Sequence, residues 1–446
     1  MTSQTQGRGS PRVALSIAGS LVAGLIAAIF LVAGPFAGGV EATITGAVLL
    51  AFGLGWALLA LVTARLTDQP QRWAFVPAGA MALVGVLLLL LRPGGSVMDV
   101  LSWIWPAALL ALVAWMVVQV RVSLHSRARL WLIYPVFAVL ALFALGGAAE
   151  AIVDTGPSAG DQIGGEMVSV GDHRLRVDCQ GEGSPVVVLE SGLGESSYYW
   201  APIVERVVPT TTVCTYDRAG RGGSEGAASP QDGLSVAKDL HTLLAASGHE
   251  GPYLLVGHST GGVYVRIFAA TFPDEVAGMV LLDSQPTDAF TSLPDYPAFY
   301  ASTPVLYGVL PSVARLGVLH LAYASAFGDL PEVARDAERG DQGSPRLQAS
   351  ARDEMAMLRT SLAEAAELKD LGAMPLIVVT AEAEAQAGWT EAQRSLAALS
   401  TNSLHRILPE ISHVALITSP AGSRASSQAI LDVVAATRGG IELGGP

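Results

Sequence analysis

Six residues in the middle of the chain, Gly257-His258-Ser259-Thr260-Gly261-Gly262, have the types and spacing for nucleophilic chemistry. In a G-x-S-x-G turn the backbone folds too tightly for side chains at the flanking glycines, and the serine between them is held with its hydroxyl exposed. A serine hydroxyl is a poor nucleophile until a neighbouring base takes its proton, so the pattern demands a partner elsewhere. The elements on either side fit. Tyr253-Leu254-Leu255-Val256 is a short apolar run of strand character. Residues 263–270 are long enough for a helix, whose first N–H groups and positive dipole end would point toward the serine. The bland alternative is a glycine-rich strand-to-helix turn in which Ser259 only caps the helix.

The chain that must position this turn is 446 residues long and 51% hydrophobic, with a mean hydropathy of +0.45. That is room for two domains and too apolar for one soluble globule. The apolar excess lies in residues 1–150, where eight arginines stand against Glu41, Asp68, Asp99 and Glu150, a net +4. Since the whole chain carries −13, the remainder carries −17. An acidic domain of that sign argues against a nucleic-acid partner. The two cysteines, Cys179 and Cys214, form no C-x-x-C pattern, so zinc and thioredoxin-like readings are weak.

Apolar runs at 13–33, 43–64, 73–91, 100–120 and 130–148 each approach the ~20 residues a helix needs to cross a bilayer. Pro77, Pro106 and Pro135 fall inside three of them, which transmembrane helices tolerate. Trp56, Trp73, Trp103, Trp105, Trp115 and Trp131 mostly lie near run ends, where indole rings favour the headgroup zone. Arg8, Arg12, Arg65, Arg72, Arg121, Arg127 and Arg129 collect on one side and only Arg92 on the other. The positive-inside rule then predicts a cytoplasmic N-terminus and, after five crossings, an extracytoplasmic C-terminal part. Small residues at 33–38 also fit a signal cleavage site, which would leave the C-terminal part on the same side. No ionisable residue sits deep in a run, so a transporter role is not supported, and the half reads as an anchor.

Residues 151–164 form a Gly/Pro/Ser-containing linker. Beyond it, strand-like runs at 166–170, 173–179, 185–189, 212–216, 253–256, 277–282, 376–380 and 404–408 alternate from the third onward with helical patterns, as near 234–247, 390–400 and 423–437. That alternation predicts an α/β fold with a mainly parallel sheet covered on both faces. It stops between 286 and 374, where an early aromatic stretch precedes a polar-faced helix at 346–371.

On G-H-S-T-G-G, the upstream Ser191-Gly192-Leu193-Gly194 turn, the Tyr216-Asp217-Arg218-Ala219-Gly220-Arg221-Gly222-Gly223-Ser224 loop and the late Ile411-Ser412-His413, residues 165–446 resemble the α/β-hydrolases. The five-run segment lies outside that resemblance. It implies a cap at 286–374 and the chain order serine, acid, histidine. Ser259 is then the nucleophile. His413, just past the last strand, is the base in preference to His405, which enters that strand. For the acid, the G-x-x-D spacing of related hydrolases favours Glu384 slightly over Asp283, with Glu382 third. The acid's work is to hold one imidazole tautomer. Thr260 and, by resemblance, Leu193 supply the oxyanion-hole N–H groups. His258 packs or lines the pocket, and Asp217 and Arg218 hold the glycine-rich loop.

The resemblance also places the Cys179 strand beside the Cys214 strand, which implies a disulfide in an oxidising compartment. No metal and no cofactor is implied. The expected function is a membrane-anchored serine hydrolase acting on a small-molecule ester, lipid or amide, with esterase or lipase chemistry ahead of peptidase. The alternative is a membrane interaction or sensory protein whose hydrolase-like domain binds a ligand without turning it over.

Overall fold

The computed structural model describes residues 11–125, 127–156, 159–440 and 442–443. Arg8 of the charge argument and positions 157–158 of the linker lie outside them. The chain divides into two compact units: Met1–Gly156 with Val305–Leu321, and Pro157–Pro304 with Ala322–Pro446. The 286–374 insertion, expected to belong wholly to the hydrolase-like part, is therefore shared between them.

The first unit contains α1 (Pro11–Ala33), α2 (Glu41–Leu66), α3 (Phe75–Leu91), α4 (Gly95–Ser102), α5 (Trp105–Ser123) and α6 (Tyr134–Thr155). Five of its helical stretches are long and apolar enough to cross a membrane. Glycines let them approach closely: a Cβ on Gly24 would stand 3.2 Å from the Gly55 Cα. The fourth run is not one helix. α4 ends at Ser102 and α5 begins at Trp105. Pro106 and Pro135 occupy the opening positions of α5 and α6, and Pro77 the first turn of α3. At Pro106, which follows the break at Trp103 and Ile104, the missing N–H has no intrahelical partner to lose. Pro77 and Pro135 instead follow a 3-10 turn at Arg72–Ala74 and a π-helical turn at Arg129–Ile133 that run directly into their helices. Trp56 and Trp73 do not face the outside of their unit. Both are buried and pack on Phe137, with the Trp73 Nε1 donating to Gln71 Oε1 at 2.8 Å. Trp103 and Trp131 are exposed.

The second unit is built on an eight-stranded sheet of β1 (Glu166–Ser169), β2 (Arg174–Gln180), β3 (Val187–Glu190), β4 (Val213–Tyr216), β5 (Tyr253–His258), β6 (Val276–Leu282), β7 (Leu376–Ala381) and β8 (Ser403–Leu408). Their spatial order is β1-β2-β4-β3-β5-β6-β7-β8, antiparallel between β1, β2 and β4 and parallel from β4 onward. The central strands are apolar on both faces because helices cover both. Leu254 and Val256, Val280 and Leu282, Ile377 and Val379 share one core with Ile203 and Val207 of α7 (Ala201–Val207) and with Ile430, Val433 and Val434 near the C-terminus. The side chains between them point to the other face. That face is covered by α8 (Gly233–Ala246) and α9 (Gly261–Thr271). Each fully buried Val, Leu or Ile stabilises the fold by about 1.5–3 kcal/mol, so a charge at Val256 would break it.

Cys179 and Cys214 are register partners on β2 and β4, and they are disulfide-bonded. Between β6 and β7 run α10 (Ala289–Ser292), α11 (Tyr296–Ala314), α12 (Val318–Tyr323), α13 (Glu332–Gly343) and α14 (Pro345–Ala365). The expected helix at 346–371 is α14, which stops at Ala365. Its Leu347, Ala351, Met355, Leu358 and Leu362 recur every three or four residues on a buried face. The chain closes with α15 (Trp389–Ala397), α16 (Ala415–Thr418) and α17 (Pro420–Gly439).

Candidate active site

β5 ends at His258 and α9 begins at Gly261, leaving Ser259 and Thr260 to make the turn. Ser259 has φ +54°, a left-handed conformation that a side chain rarely adopts. It is held there from both sides. Its N–H donates to Leu282 O at 3.0 Å, and its own carbonyl accepts from Gln285 N at 3.0 Å and Gly262 N at 3.2 Å. The glycines are required by space: a Cβ on Gly257 would stand 2.5 Å from the Gly262 Cα, and one on Gly261 would meet the Glu190 and Ser191 carbonyls.

The turn after β3 comes against this elbow. A Cβ on Gly192 would lie 3.0 Å from the Ser259 Cβ. Its carbonyls are drawn away by two buried guanidinium groups. Arg218 donates to Ser191 O at 2.6 Å and Gly192 O at 2.7 Å, and Arg221 to Gly192 O at 2.9 Å. Among the described residues, no protein acceptor takes the N–H of Leu193 or Thr260. Arg218, itself part of the glycine-rich loop, thus ties that loop to the Ser191 turn, with Glu190 and Glu354 as its carboxylate partners. Asp217 also holds that loop, accepting from Ser197 N at 2.7 Å, Arg176 at 3.2 Å and Gly223 N at 3.3 Å. Burial pushes Arg221 down to about 9, helped by Arg218 beside it. Burial also raises the Glu190 carboxyl, against the pull of Arg218.

His413 follows β8, and its Nδ1 lies 2.6 Å from Asp283 Oδ2. Asp283 directly follows β6, at φ +46°, and is buried. Its other oxygen, Oδ1, accepts from Trp389 Nε1 at 2.7 Å and Ala381 N at 3.1 Å. The preference for Glu384 is corrected at this point: the carboxylate brought to the imidazole is that of Asp283. Glu384 is exposed in the turn after β7, and Glu382 accepts from Thr390 Oγ1 at 3.2 Å. The reason is lateral. β6 lies between β5 and β7, so its carboxyl end is one strand from Ser259, while the turn after β7 opens to solvent. His405 sits within β8 and pairs with Thr380 Oγ1 at 2.7 Å.

His258 joins these parts. Its Nε2 lies 3.1 Å from His413 O and its Nδ1 2.9 Å from Glu195 Oε2. Glu195 in turn accepts from Gly192 N at 2.6 Å. One buried side chain next to the nucleophile therefore ties the His413 backbone to the Ser191–Gly194 turn. Burial works to lower the His258 pKa, but Glu195 outweighs it and the net shift is upward. Burial likewise works to raise Glu195, and His258 outweighs it downward. Among the described residues the Ser259 hydroxyl has no hydrogen-bond partner. Such contacts are often long until substrate binds.

Sequence reasoning left out three contributors. Glu195 lies 63 residues from His258, and Trp389 lies 106 from Asp283. Glu354 on α14 accepts from Thr260 Oγ1 at 3.1 Å, Tyr264 OH at 2.9 Å and Arg218 at 2.9 Å. None belongs to a local motif.

A serine on a strained elbow, a buried carboxylate on a late histidine and two unpartnered amides beside them are parts that acyl transfer uses. The family model described as alpha/beta hydrolase fold matches residues 185–420, more than half of the chain. The chain is 30% identical over 136 residues to "Probable transporter efuK" of Hormonema carpetanum, covering 29% of this chain and 20% of that protein. It is 29% identical over 113 residues to "Putative carbamate hydrolase RutD" of Azorhizobium caulinodans, covering 25% and 42%. The matched stretches span less than half the length of these relatives. A solved structure of a "putative epoxide hydrolase" variant from Pseudomonas aeruginosa superposes with a TM-score of 0.51 at 20% identity. It covers 62% of this chain and 98% of its own, a likeness of fold. The chain belongs to the α/β-hydrolase family.

Proposed function

We propose that the protein is a serine hydrolase that cleaves an ester or amide through an acyl-enzyme. The observation that carries this reading is the Asp283 carboxylate 2.6 Å from His413 Nδ1, at the sheet end where Ser259 is strained outward. Asp283 holds the proton on Nδ1, which leaves Nε2 free to accept one. Ser259 Oγ attacks the substrate carbonyl carbon and passes its proton to His413 Nε2. The developing oxyanion is met by the N–H groups of Leu193 and Thr260. As the tetrahedral species collapses, the bond to the leaving group breaks and the leaving group takes the proton from Nε2. Water then gives a proton to Nε2 and attacks the acyl carbon, and the acid product leaves with Ser259 re-protonated.

In this reading, the five apolar helices cross a membrane with the N-terminus in the cytoplasm and the sheet unit outside. Arg65, Arg72, Arg121, Arg127 and Arg129 lie at or between the helix ends assigned to one side, and Arg92 at the helix end assigned to the other. The Cys179–Cys214 disulfide suits an oxidising compartment. A p-nitrophenyl ester series tests the chemistry. The wild type releases p-nitrophenol and Ser259→Ala falls to the uncatalysed rate, whereas equal rates would leave a ligand-binding domain that does not turn its ligand over.

A further inference from the structure

His258 is the last residue of β5, next to Ser259, and it is fully buried. Each of its ring nitrogens faces an oxygen. Nδ1 lies 2.9 Å from Glu195 Oε2, which also accepts from Gly192 N at 2.6 Å. Nε2 lies 3.1 Å from the carbonyl oxygen of His413. A carbonyl oxygen has no proton to give, so Nε2 must carry one. A neutral imidazole has a single N–H, and that contact uses it. The contact at Nδ1 therefore needs a second proton, either on the ring or on the carboxyl.

Two features put that proton on the ring. Imidazole is the stronger base of the two by about two pH units. The Gly192 N–H aimed at the same oxygen also favours the ionised carboxyl. Burial presses the His258 pKa down, and the Glu195 carboxylate more than offsets it. Burial presses Glu195 up, and His258 more than offsets that. Among the described residues, the charged and titratable groups facing the ring are Glu195 from the turn after β3, Asp283 from just past β6 and His413 from beyond β8.

A neutral His258 would satisfy only one of its two partners. The pair with Glu195 would keep the remaining proton, and a bare Nε2 would then stand lone pair to lone pair against the His413 carbonyl. With both protons in place, one ring holds the backbone of the base and, through Glu195, the turn that carries the Leu193 N–H. Turnover adds a second cation when His413 takes the Ser259 proton. The two rings, with centroids 4.6 Å apart, are then matched by two carboxylates, Glu195 and Asp283.

We infer that His258 is a buried imidazolium at neutral pH and the positioning residue that keeps His413 and the Ser191–Gly194 turn in register. The charge state stands on the contacts of the ring, while the positioning role rests on the serine-hydrolase reading.

The charge is read on the intact protein in phosphatidylcholine vesicles, with histidine labelled in nitrogen-15. Solid-state NMR at pH 8, where an ordinary imidazole is neutral, should show a histidine with both ring nitrogens protonated. Its signals should vanish in His258→Asn. They should also move in Glu195→Gln, whose amide keeps an oxygen for both donors and lacks the charge. An unprotonated ring nitrogen on His258 at that pH, or doubly protonated signals that neither variant changes, overturns the proposal. The role is read from kcat against pH for a soluble ester. Activity should be lost at alkaline pH as His258 gives up its proton, and without the Glu195 charge that loss should come about one pH unit lower or more. A carboxyl that only filled space would not move it. Superimposable profiles for wild type and Glu195→Gln overturn the positioning role. If wild type cleaves no ester, the hydrolase reading falls and the role with it, while the NMR result still decides the charge.

Discussion

Replacing Asp283 by asparagine separates the two candidate acids with little disturbance of the fold. The amide side chain introduced there keeps one oxygen for the Ala381 N–H and the Trp389 Nε1–H, which donate to Oδ1 at 3.1 and 2.7 Å. Its NH₂ then faces His413 Nδ1, where Asp283 Oδ2 now sits at 2.6 Å. Two donors cannot share that contact, so the imidazole must turn Nδ1 into an acceptor and carry its proton on Nε2. A base already protonated on the working nitrogen cannot take the Ser259 proton. Loss of the correct tautomer in such triads costs about 10⁴-fold in kcat, which is about 5.5 kcal/mol of transition-state stabilisation. Glu384→Gln, at an exposed position, should stay within twofold. The assay is kcat for a soluble p-nitrophenyl ester, with thermal midpoints to show that both variants are folded. If Asp283→Asn kept a tenth or more of wild-type kcat while Glu384→Gln fell a hundredfold, the reasoning from the observed hydrogen bond would be refuted.

Other outcomes follow from the same geometry. Glu195→Leu removes both the anion that raises His258 and the acceptor of Gly192 N–H. It should lower kcat about tenfold with KM little changed, as expected for lost alignment of one transition-state donor; a KM effect alone would count against it. Opening the Cys179–Cys214 link by Cys179→Ala with Cys214→Ala frees a loop of sequence separation 35. By loop-closure entropy the loss is about 4 kcal/mol, to be read from urea unfolding of the sheet unit. Burial pushes Asp341 up to about 6, above its ordinary value of 3.8. Between those values the folded state binds more protons than the unfolded, so this group's stabilising contribution is present below about pH 4 and is lost as pH rises through about 6. Asp341→Asn should therefore raise the thermal midpoint relative to wild type at pH 7.5 and leave it near wild type at pH 4. A difference independent of pH would contradict the assignment.

All eight strands could be read from sequence because strands buried on both faces leave continuous apolar runs, as in Leu376–Ala381, or sit beside strong turn residues such as Gly171-Asp172. The elbow was equally plain, since the G-x-S-x-G pattern is local and Gly257 is dictated by its contact with Gly262, although Gly261 answers to the distant Glu190 and Ser191 carbonyls. The acid was not. Asp283 and the turn after β7 leave neighbouring strands at the same sheet edge, and the choice is made by the Trp389 indole and the Ala381 amide, 106 and 98 residues away. Spacing rules carry no information about such a pair. The place of Pro106 was hidden for a related reason. An apolar run shows that a segment can span, but the break at Trp103 and Ile104 that makes Pro106 a first-turn residue leaves no mark on hydropathy. The return of Val305–Leu321 to the helical unit was also hidden, because the charges that hold it, Glu41, Glu150 and Arg315, are far apart in sequence and each looks like a surface residue by itself.

The most direct test of the central claim is covalent capture of the nucleophile. The intact protein is treated with a fluorophosphonate, digested and analysed by mass spectrometry, alongside Ser259→Ala and His413→Gln. One phosphonyl group on the peptide carrying Ser259, absent in the first variant and formed at least a hundredfold more slowly in the second, is the predicted result. Labelling at another residue, or equal rates with and without the His413 imidazole, would contradict it.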